Sequence, residues 1–252
     1  MHKYPVPDIL DVCIEAGQVM LENGAETYRV EDTVYRIAKS YNLIYINVFV
    51  VPTALILTVQ GEDGLDHTEL LRMTDRQTNL EKVSMVNDLS RLLAQRALPP
   101  AKVKQKLANI RNTPRNFSEW QSNFAIALAC GGFPLLFGGG YYDMLPAFIA
   151  GGLGHILYQK VNNLTNVSFF AEMVASFFIG LIAVLLTGLG LGEDVNMIII
   201  GSVMSLVPGM AITNSLRDLM AGHLLSGVAV LAKALLTAGA IGIGIAIVLT
   251  FI

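Results

Sequence analysis

The chain has 252 residues, of which 53% are apolar and only 15% charged, against about 25% charged in an ordinary soluble domain. A net charge of −3 and two cysteines exclude a disordered chain, a disulfide-stapled secreted scaffold and a basic nucleic-acid binder. The charge is also divided. Residues 1–120 hold 14 of the 17 Lys/Arg and 15 of the 20 Asp/Glu, which excludes a wholly soluble enzyme. The expected class is an α-helical polytopic membrane protein with an N-terminal cytoplasmic α+β domain over 1–118 and a transmembrane domain over 119–252.

The first 20 residues carry Lys3, Asp8, Asp11 and Glu15 without an apolar core, so no secretory signal is expected. Apolar spacing predicts a helix over Pro7–Glu22, through Leu10, Cys13, Ile14, Gly17 and Met20–Leu21. Asn23-Gly24 should end it, because glycine enters the left-handed region cheaply. A second helix is predicted from Ala25 to about Ser40. Leu43–Val51 and Ala54–Val59 are rich in β-branched residues and divided by Pro52, which predicts two strands. Gly61-Glu62-Asp63-Gly64 reads as a turn and His67–Thr74 as a third strand of a small antiparallel sheet. Helices over Asn79–Gln95 and Ala101–Arg111, parted by Pro99-Pro100, complete the domain.

Five apolar stretches follow, and a helix needs about 20 such residues to cross a bilayer. The predicted spans are 121–139, 143–160, 168–190, 195–213 and 225–251. Lys102, Lys104, Lys106, Arg111 and Arg115 precede the first span and place that end in the cytoplasm. Lys160 and Arg217 then fall inside, Asp143 and Glu193-Asp194 outside, and the C-terminus outside. The expected location is the cytoplasmic membrane, multi-pass.

Nineteen of the 23 glycines lie after residue 120. Most are read as close-packing positions between helices, including the ladder Ala234, Ala238, Gly242, Ala246 and the pair Ser176, Gly180. Two interruptions carry more. Gly132 and Pro134 lie midway through the first span, and Pro208-Gly209 in the second half of the fourth. Proline removes a backbone donor and glycine adds freedom, and broken helices at membrane depth serve transporters as substrate sites. After Pro208-Gly209 come Thr213, Asn214, Arg217, Asp218 and His223. Asn214 and Asp218 would share a helical face. Lys233 and Glu172 are the charges inside the fifth and third spans, where charge is expensive and faces a cavity or snorkels. Pro208, Gly209, Thr213, Asn214, Asp218, Lys233, Glu172, Gly132 and Pro134 are therefore the candidate substrate-path residues. Glu26, Arg29, Glu31 and Asp32 could form an acid/base or metal cluster. The plainer reading of them, acids at a helix start with ion pairs such as Glu26–Arg29, is preferred. Neither cysteine falls in a metal or redox motif, and there is no phosphate-binding loop and no nucleophile elbow. No catalytic residue, metal or cofactor is expected.

The order of a Gly-Ala-Glu-Thr-Tyr-Arg-Val-Glu helix start at 24–31, a strand pair around Pro52-Thr53, and Pro-Gly-Met-Ala-Ile-Thr-Asn-Ser-Leu-Arg-Asp-Leu-Met-Ala-Gly-His at 208–223, followed by Gly227 and a basic residue at 233, resembles the threonine/serine exporter family. It is most similar to the short, split form, in which one chain carries the soluble domain and five spans and a second small membrane subunit supplies the rest. The resemblance implies export of threonine and serine, or of dicarboxylates such as succinate. With no nucleotide-binding motif the drive would be an ion gradient, protons by default, because Asp218, Glu172 and His223 can titrate. The expected partners are that second subunit or another copy of the chain, a small-molecule substrate and the lipid bilayer, with no nucleic acid. A membrane-embedded enzyme would need a nucleophile and base at membrane depth. A membrane-anchored sensor would not need a broken fourth span.

Overall fold

The computed structural model describes residues 4–61, 64–73, 77–114, 117–165, 167 and 169–251. Lys3, Glu62 and Asp63 of the predicted turn, Thr74 of the third strand, Arg115, Ser168 and the C-terminal Ile252 lie outside the described residues. The chain is mostly helical, with one three-stranded sheet among the described residues. In order come α1 (Val6–Glu22), α2 (Thr27–Ser40), β1 (Ile46–Val51), β2 (Ala54–Gln60), β3 (Asp66–Arg72), α3 (Leu80–Gln95), α4 (Pro100–Asn112), α5 (Glu119–Leu136), α6 (Met144–Thr165), α7 (Phe170–Gly188), α8 (Val195–Val203), α9 (Gly209–Met220) and α10 (Leu224–Leu249). These fall into two compact units. One is Met1–Pro114 with Thr213–Leu231, and the other is Arg115–Ile212 with Ala232–Ile252.

In the first unit the sheet is antiparallel in the order β1-β2-β3, with Phe49 opposite Ile56 and Ile56 opposite Leu70. The alternation of β2 decides which face is inward: Leu55, Leu57 and Val59 are fully buried, as period-2 side-chain direction requires. They meet Val12, Val19 and Met20 of α1, Val30, Val34 and Ile37 of α2, and Val83, Val86 and Leu93 of α3 in one core. Leu55 approaches α1 so closely that a Cβ on Gly17 would lie 2.6 Å from its Cδ2. Cys13 is in this core, and burial pushes its thiol well above the usual range. Prolines at the starts of α1 and α4, and the Asn79 side chain accepting from the Lys82 amide at 3.2 Å, set three of the helix starts.

The second unit is built on close backbone approach. On α6, a Cβ at Gly151 would lie 2.5 Å from Cys130 of α5, one at Gly152 2.8 Å from Ala127, and one at Gly154 2.3 Å from Ile179 of α7. The α6 glycines are thus packing positions on two sides of the helix. On α10 the packed line is Ala234, Thr237, Ile241, Gly244 and Val248; Ser176 and Gly180 of α7 receive Gly244 and Val248. Beyond Ala234 the ladder expected from sequence is exposed at Ala238, Gly242 and Ala246.

Two interruptions behave differently. Helix α5 runs unbroken through Gly132 and Pro134 and ends at Leu136, so of the kink or break considered from sequence there is no break. Pro134 is only two residues from the helix end, where a kink disturbs little, and it packs against Gly201 of α8. The fourth predicted span, by contrast, is not one helix. It stops at Val203, passes through a turn, and resumes as α9 at Gly209. Pro208 cannot donate and disfavours helix at Val207; its own carbonyl then accepts from the Ile212 amide at 3.1 Å and starts α9.

By length and composition, α7 and α10 are long and apolar enough among the described residues to cross a membrane. The others fall short for visible reasons: α5 begins Glu-Trp-Gln-Ser-Asn, α6 ends with Gln159, Lys160, Asn162 and Asn163, and α8 has 9 residues.

One loop charge is not an ornament. Asp143 is 1% exposed. Its Oδ1 accepts from the amides of Glu193 and Asp194 at 2.9 and 3.0 Å, and its Oδ2 from Gly140 at 3.1 Å. It ties the α5–α6 loop to the α7–α8 loop. Removing it strands three amides. Asp143→Ala is expected to destabilise the protein by about 2–3 kcal/mol, and Glu193→Gln, an exposed side chain, by less than about 0.5 kcal/mol. Thermal unfolding in detergent measures both, and equal melting temperatures would show the Asp143 contacts to be dispensable.

Candidate functional site

The polar segment 213–223 forms its site inside the first unit, with the start of α2. The turn before α2 is tightly specified. Gly24 has φ +84°, and a Cβ there would sit 3.3 Å from the Gln77 carbonyl, so both backbone sign and space favour glycine. Asn23 Nδ2 donates to the Val19 carbonyl at 2.7 Å. The carbonyls of Glu22 and Asn23 accept from the amides of Gln77 and Asn79. The turn so fixed delivers Glu26 at the N-terminal boundary of α2 and Glu31 farther along the helix.

Glu26, 11% exposed at its side chain, holds two guanidiniums: Arg29 Nε lies 3.2 Å from Oε2 and Arg217 Nη1 2.6 Å from Oε1. The first is the local i, i+3 pair expected from sequence. The second joins residues 191 positions apart and has no local signal. Glu31 accepts the Val50 amide at 3.1 Å through Oε1, and its Oε2 lies 3.7 Å from His223 Nδ1. Burial raises the Glu31 carboxyl above its ordinary value; the nearby Asp218 charge adds to this, while the Val50 amide and His223 oppose it. Asp32 pairs with Arg36 one turn on and takes no part. The acidic cluster considered from sequence therefore divides, with Glu26 and Glu31 turned to the 213–223 segment.

On that segment α9 is a regular helix that buries Ser215 and Asp218. Asp218 is 3% exposed. Its Oδ2 accepts from the Ser226 hydroxyl at 2.8 Å, and its Oδ1 has no hydrogen-bond partner. Its carbonyl accepts from the His223 amide at 2.9 Å across a corner made by Gly222 at φ +88°. The corner is tight: a Cβ on Gly227 would lie 2.6 Å from Leu219 Cγ, so α10 leaves α9 with no room for a side chain.

Among the path residues expected from sequence, Thr213, Asn214 and Asp218 belong to this unit, with Asp218 the buried one. The others lie in the second unit. Pro208 and Gly209 form the break before α9, Lys233 is exposed on α10, Glu172 is partly buried on α7, Gly132 has open space where a side chain would be, and Pro134 is buried in packing. A groove of about 320 Å³ between α5 and α6, lined by Trp120, Phe124, Phe148 and Ile156 with Asn123 as its polar side chain, includes none of them. Asp143 and the Glu26–Arg217 and Glu31–His223 pairs were not legible in the sequence.

The Glu31 geometry has a measurable sign. Its folded value is raised above 4.5, so ionising it weighs against the fold, and that cost is absent at acid pH and grows as pH rises through and above the ordinary value. Glu31→Gln, which keeps an acceptor for Val50, should be more stable than the parent near neutral pH and no more stable at acid pH. Unfolding midpoints across that range test it; a difference that does not change with pH would contradict it.

The sequence pattern of the family described as "Putative threonine/serine exporter" matches residues 11–252. The "Probable succinate transporter subunit YjjP" of Klebsiella aerogenes is 24% identical over 95% of this chain and 92% of its own length, and that of Escherichia coli is 25% identical over 95% and 93%. The "Threonine/serine exporter" of Corynebacterium glutamicum is 24% identical over 97% of this chain and 52% of its own length. The chain thus spans nearly the full length of the first two and about half of the third. No solved structure matches it. With the match running from Asp11 through the Asn23-Gly24 turn and the whole of 208–223, the chain belongs to the threonine/serine exporter family.

Proposed function

We propose that the chain is one subunit of a secondary exporter in the cytoplasmic membrane. Its cargo is a small hydrophilic amino acid such as threonine or serine, or a dicarboxylate such as succinate, and its drive is a proton gradient. The observation that carries this reading is the extent of the match: the family pattern covers residues 11–252, and the relatives named as transporter subunits are matched over 92% and 93% of their own length. The partner is a second small membrane subunit of the same family or another copy of the chain. The exposed small-residue face at Ala238, Gly242 and Ala246 is the kind of surface at which membrane helices meet.

Membrane residence is supported by where the apolar side chains sit. Only 33% and 28% of the apolar windows of α7 and α10 are buried, whereas a core helix of a soluble protein would be mostly covered. Leu128, Leu153, Leu185, Leu235 and Ile243 are all more than half exposed, a pattern that suits lipid. The proposed topology has five passes: α5, α6, α7, the interrupted α8–α9 stretch and α10. The N-terminus is in the cytoplasm and the C-terminus outside. A reporter active only outside the membrane should be silent when fused after Thr113 and active when fused at the C-terminus; the reverse pattern would overturn the topology.

Pro208-Gly209, Thr213, Asn214 and Lys233 are the positions proposed to serve the cargo and Asp218 the driving proton, with Glu172, Gly132 and Pro134 secondary to them. An exposed ammonium at Lys233 suits a carboxylate, which both cargo classes carry. In membrane vesicles, counterflow of labelled serine or succinate should require the chain and its partner. It should be lost in Lys233→Gln and unchanged in Glu193→Gln. Wild-type counterflow by Lys233→Gln would remove that residue from the path, and no counterflow of either compound would remove both cargo classes.

A further inference from the structure

We propose that Asp218, set against Glu31 of α2 and the Ser226 hydroxyl, is the carboxylate that takes up and releases the driving proton. The proposal rests on reading the chain as a proton-driven exporter subunit and names the group that does the coupling.

Four observations converge. First, Asp218 is 3% exposed, yet it makes no ion pair among the described residues and one of its oxygens, Oδ1, is buried with no partner. An ionised carboxylate in that setting is unfavourable unless something positive occupies the bare oxygen. Second, a charge it acts on is another acid. Glu31 feels the Asp218 charge, and its own carboxyl is already raised by burial. Third, the cations that could neutralise the pair are engaged elsewhere: Arg29 and Arg217 are both on Glu26. His223, its ring 3.7 Å from Glu31 Oε2 and 26% exposed, is the remaining titratable neighbour and the one open to solvent. Fourth, Asp218 occupies the corner between two helices, bonded through its carbonyl to the His223 amide and through Oδ2 to Ser226.

The charged groups around this corner are Glu31 on α2, which feels the Asp218 charge, Arg217 on α9, held on Glu26 together with Arg29, and His223, whose ring lies beside Glu31; the Ser226 hydroxyl on α10 bonds Asp218 directly. The step is a simple protonation. A proton adds to Oδ1, the carboxylate becomes a neutral acid, and the cluster loses one negative charge; release reverses it. No bond other than O–H forms or breaks. Ser226 donates to Oδ2, which leaves Oδ1 as the oxygen without a partner. His223 beside Glu31 offers a route between the pair and water.

The test separates coupling from transport. In membrane vesicles holding the chain with its partner, two quantities are measured with labelled serine and labelled succinate: counterflow without a gradient, and accumulation driven by an imposed pH gradient. Wild type should show both. Asp218→Asn should retain counterflow within about twofold and lose gradient-driven accumulation. Glu31→Gln, which removes the neighbouring acid and leaves Asp218 in place, should keep both activities. Gradient-driven accumulation by Asp218→Asn at the wild-type level overturns the assignment, and so does loss of gradient-driven accumulation in Glu31→Gln, which would move the coupling acid to α2. Loss of counterflow together with accumulation in Asp218→Asn would make the residue part of the cargo site or the fold and also overturns it. A wild type that performs counterflow but ignores the gradient overturns the proton-driven reading itself, an outcome distinct from failure of the site alone.

Discussion

Proline at position 208 has no amide hydrogen to give, and much of what is distinctive about the chain follows from that. The apolar helix α8 ends five residues earlier, at Val203, and the chain resumes as α9 with the Pro208 carbonyl accepting its first bond. The two pieces differ in character. Residues 195–203 bury Ile198, Ile199 and Val203 in a packed bundle. Residues 209–220 carry Asn214, Arg217 and Asp218. A continuous helix would hold both to one axis and drag the polar residues through apolar surroundings, where each charge is costly. The break lets the second piece start with its own direction, and the left-handed Gly222 turns the chain again into α10.

The cluster that results is held by charge placed at long sequence range. Glu26 and Glu31 lie on α2, just after a turn that Gly24 and Asn23 specify by sterics and hydrogen bonds. Arg217, Asp218 and His223 lie nearly two hundred residues on. Glu26 accepts two guanidiniums and is neutralised with charge to spare, whereas Glu31 has His223 beside it and Asp218 makes no ion pair among the described residues. The exposed arginine pairs contribute roughly 0–1 kcal/mol each. Their larger effect is to hold both guanidiniums on Glu26, away from Glu31 and the buried Asp218.

What the sequence disclosed, and what it did not, divides along the range of the interaction. The helices of the N-terminal unit follow from apolar spacing, the strands from β-branched runs around Pro52, and the left-handed Gly24 from the Asn-Gly pair, because each is decided within a few residues. The break at Pro208 is likewise local. Gly132 and Pro134 carry the same residue types, yet α5 passes through them. A proline two residues from a helix end disturbs little, and here Gly201 makes room for its ring. That difference depends on a neighbouring helix. Asp143 looked like an ordinary loop acid, and only the meeting of two loops makes it a buried acceptor of three amides. Glu31 with His223 and Asp218 is the extreme case, since no spacing rule links residue 31 to residue 223.

Both native thiols are inside. Cys13 lies in the core of the N-terminal unit, fully covered, and Cys130 faces the Gly151 backbone and the Ser202 carbonyl with 1% exposure. A thiol reacts as its thiolate and only where reagent can reach it, and burial denies Cys13 both conditions. The unaltered chain is in effect already cysteine-free toward water-soluble maleimides while it stays folded. A cysteine introduced along Ala238, Gly242 and Ala246 or at the α9–α10 corner would report its own accessibility against a silent background, with no need to disturb the packing at Gly151 by first replacing Cys130.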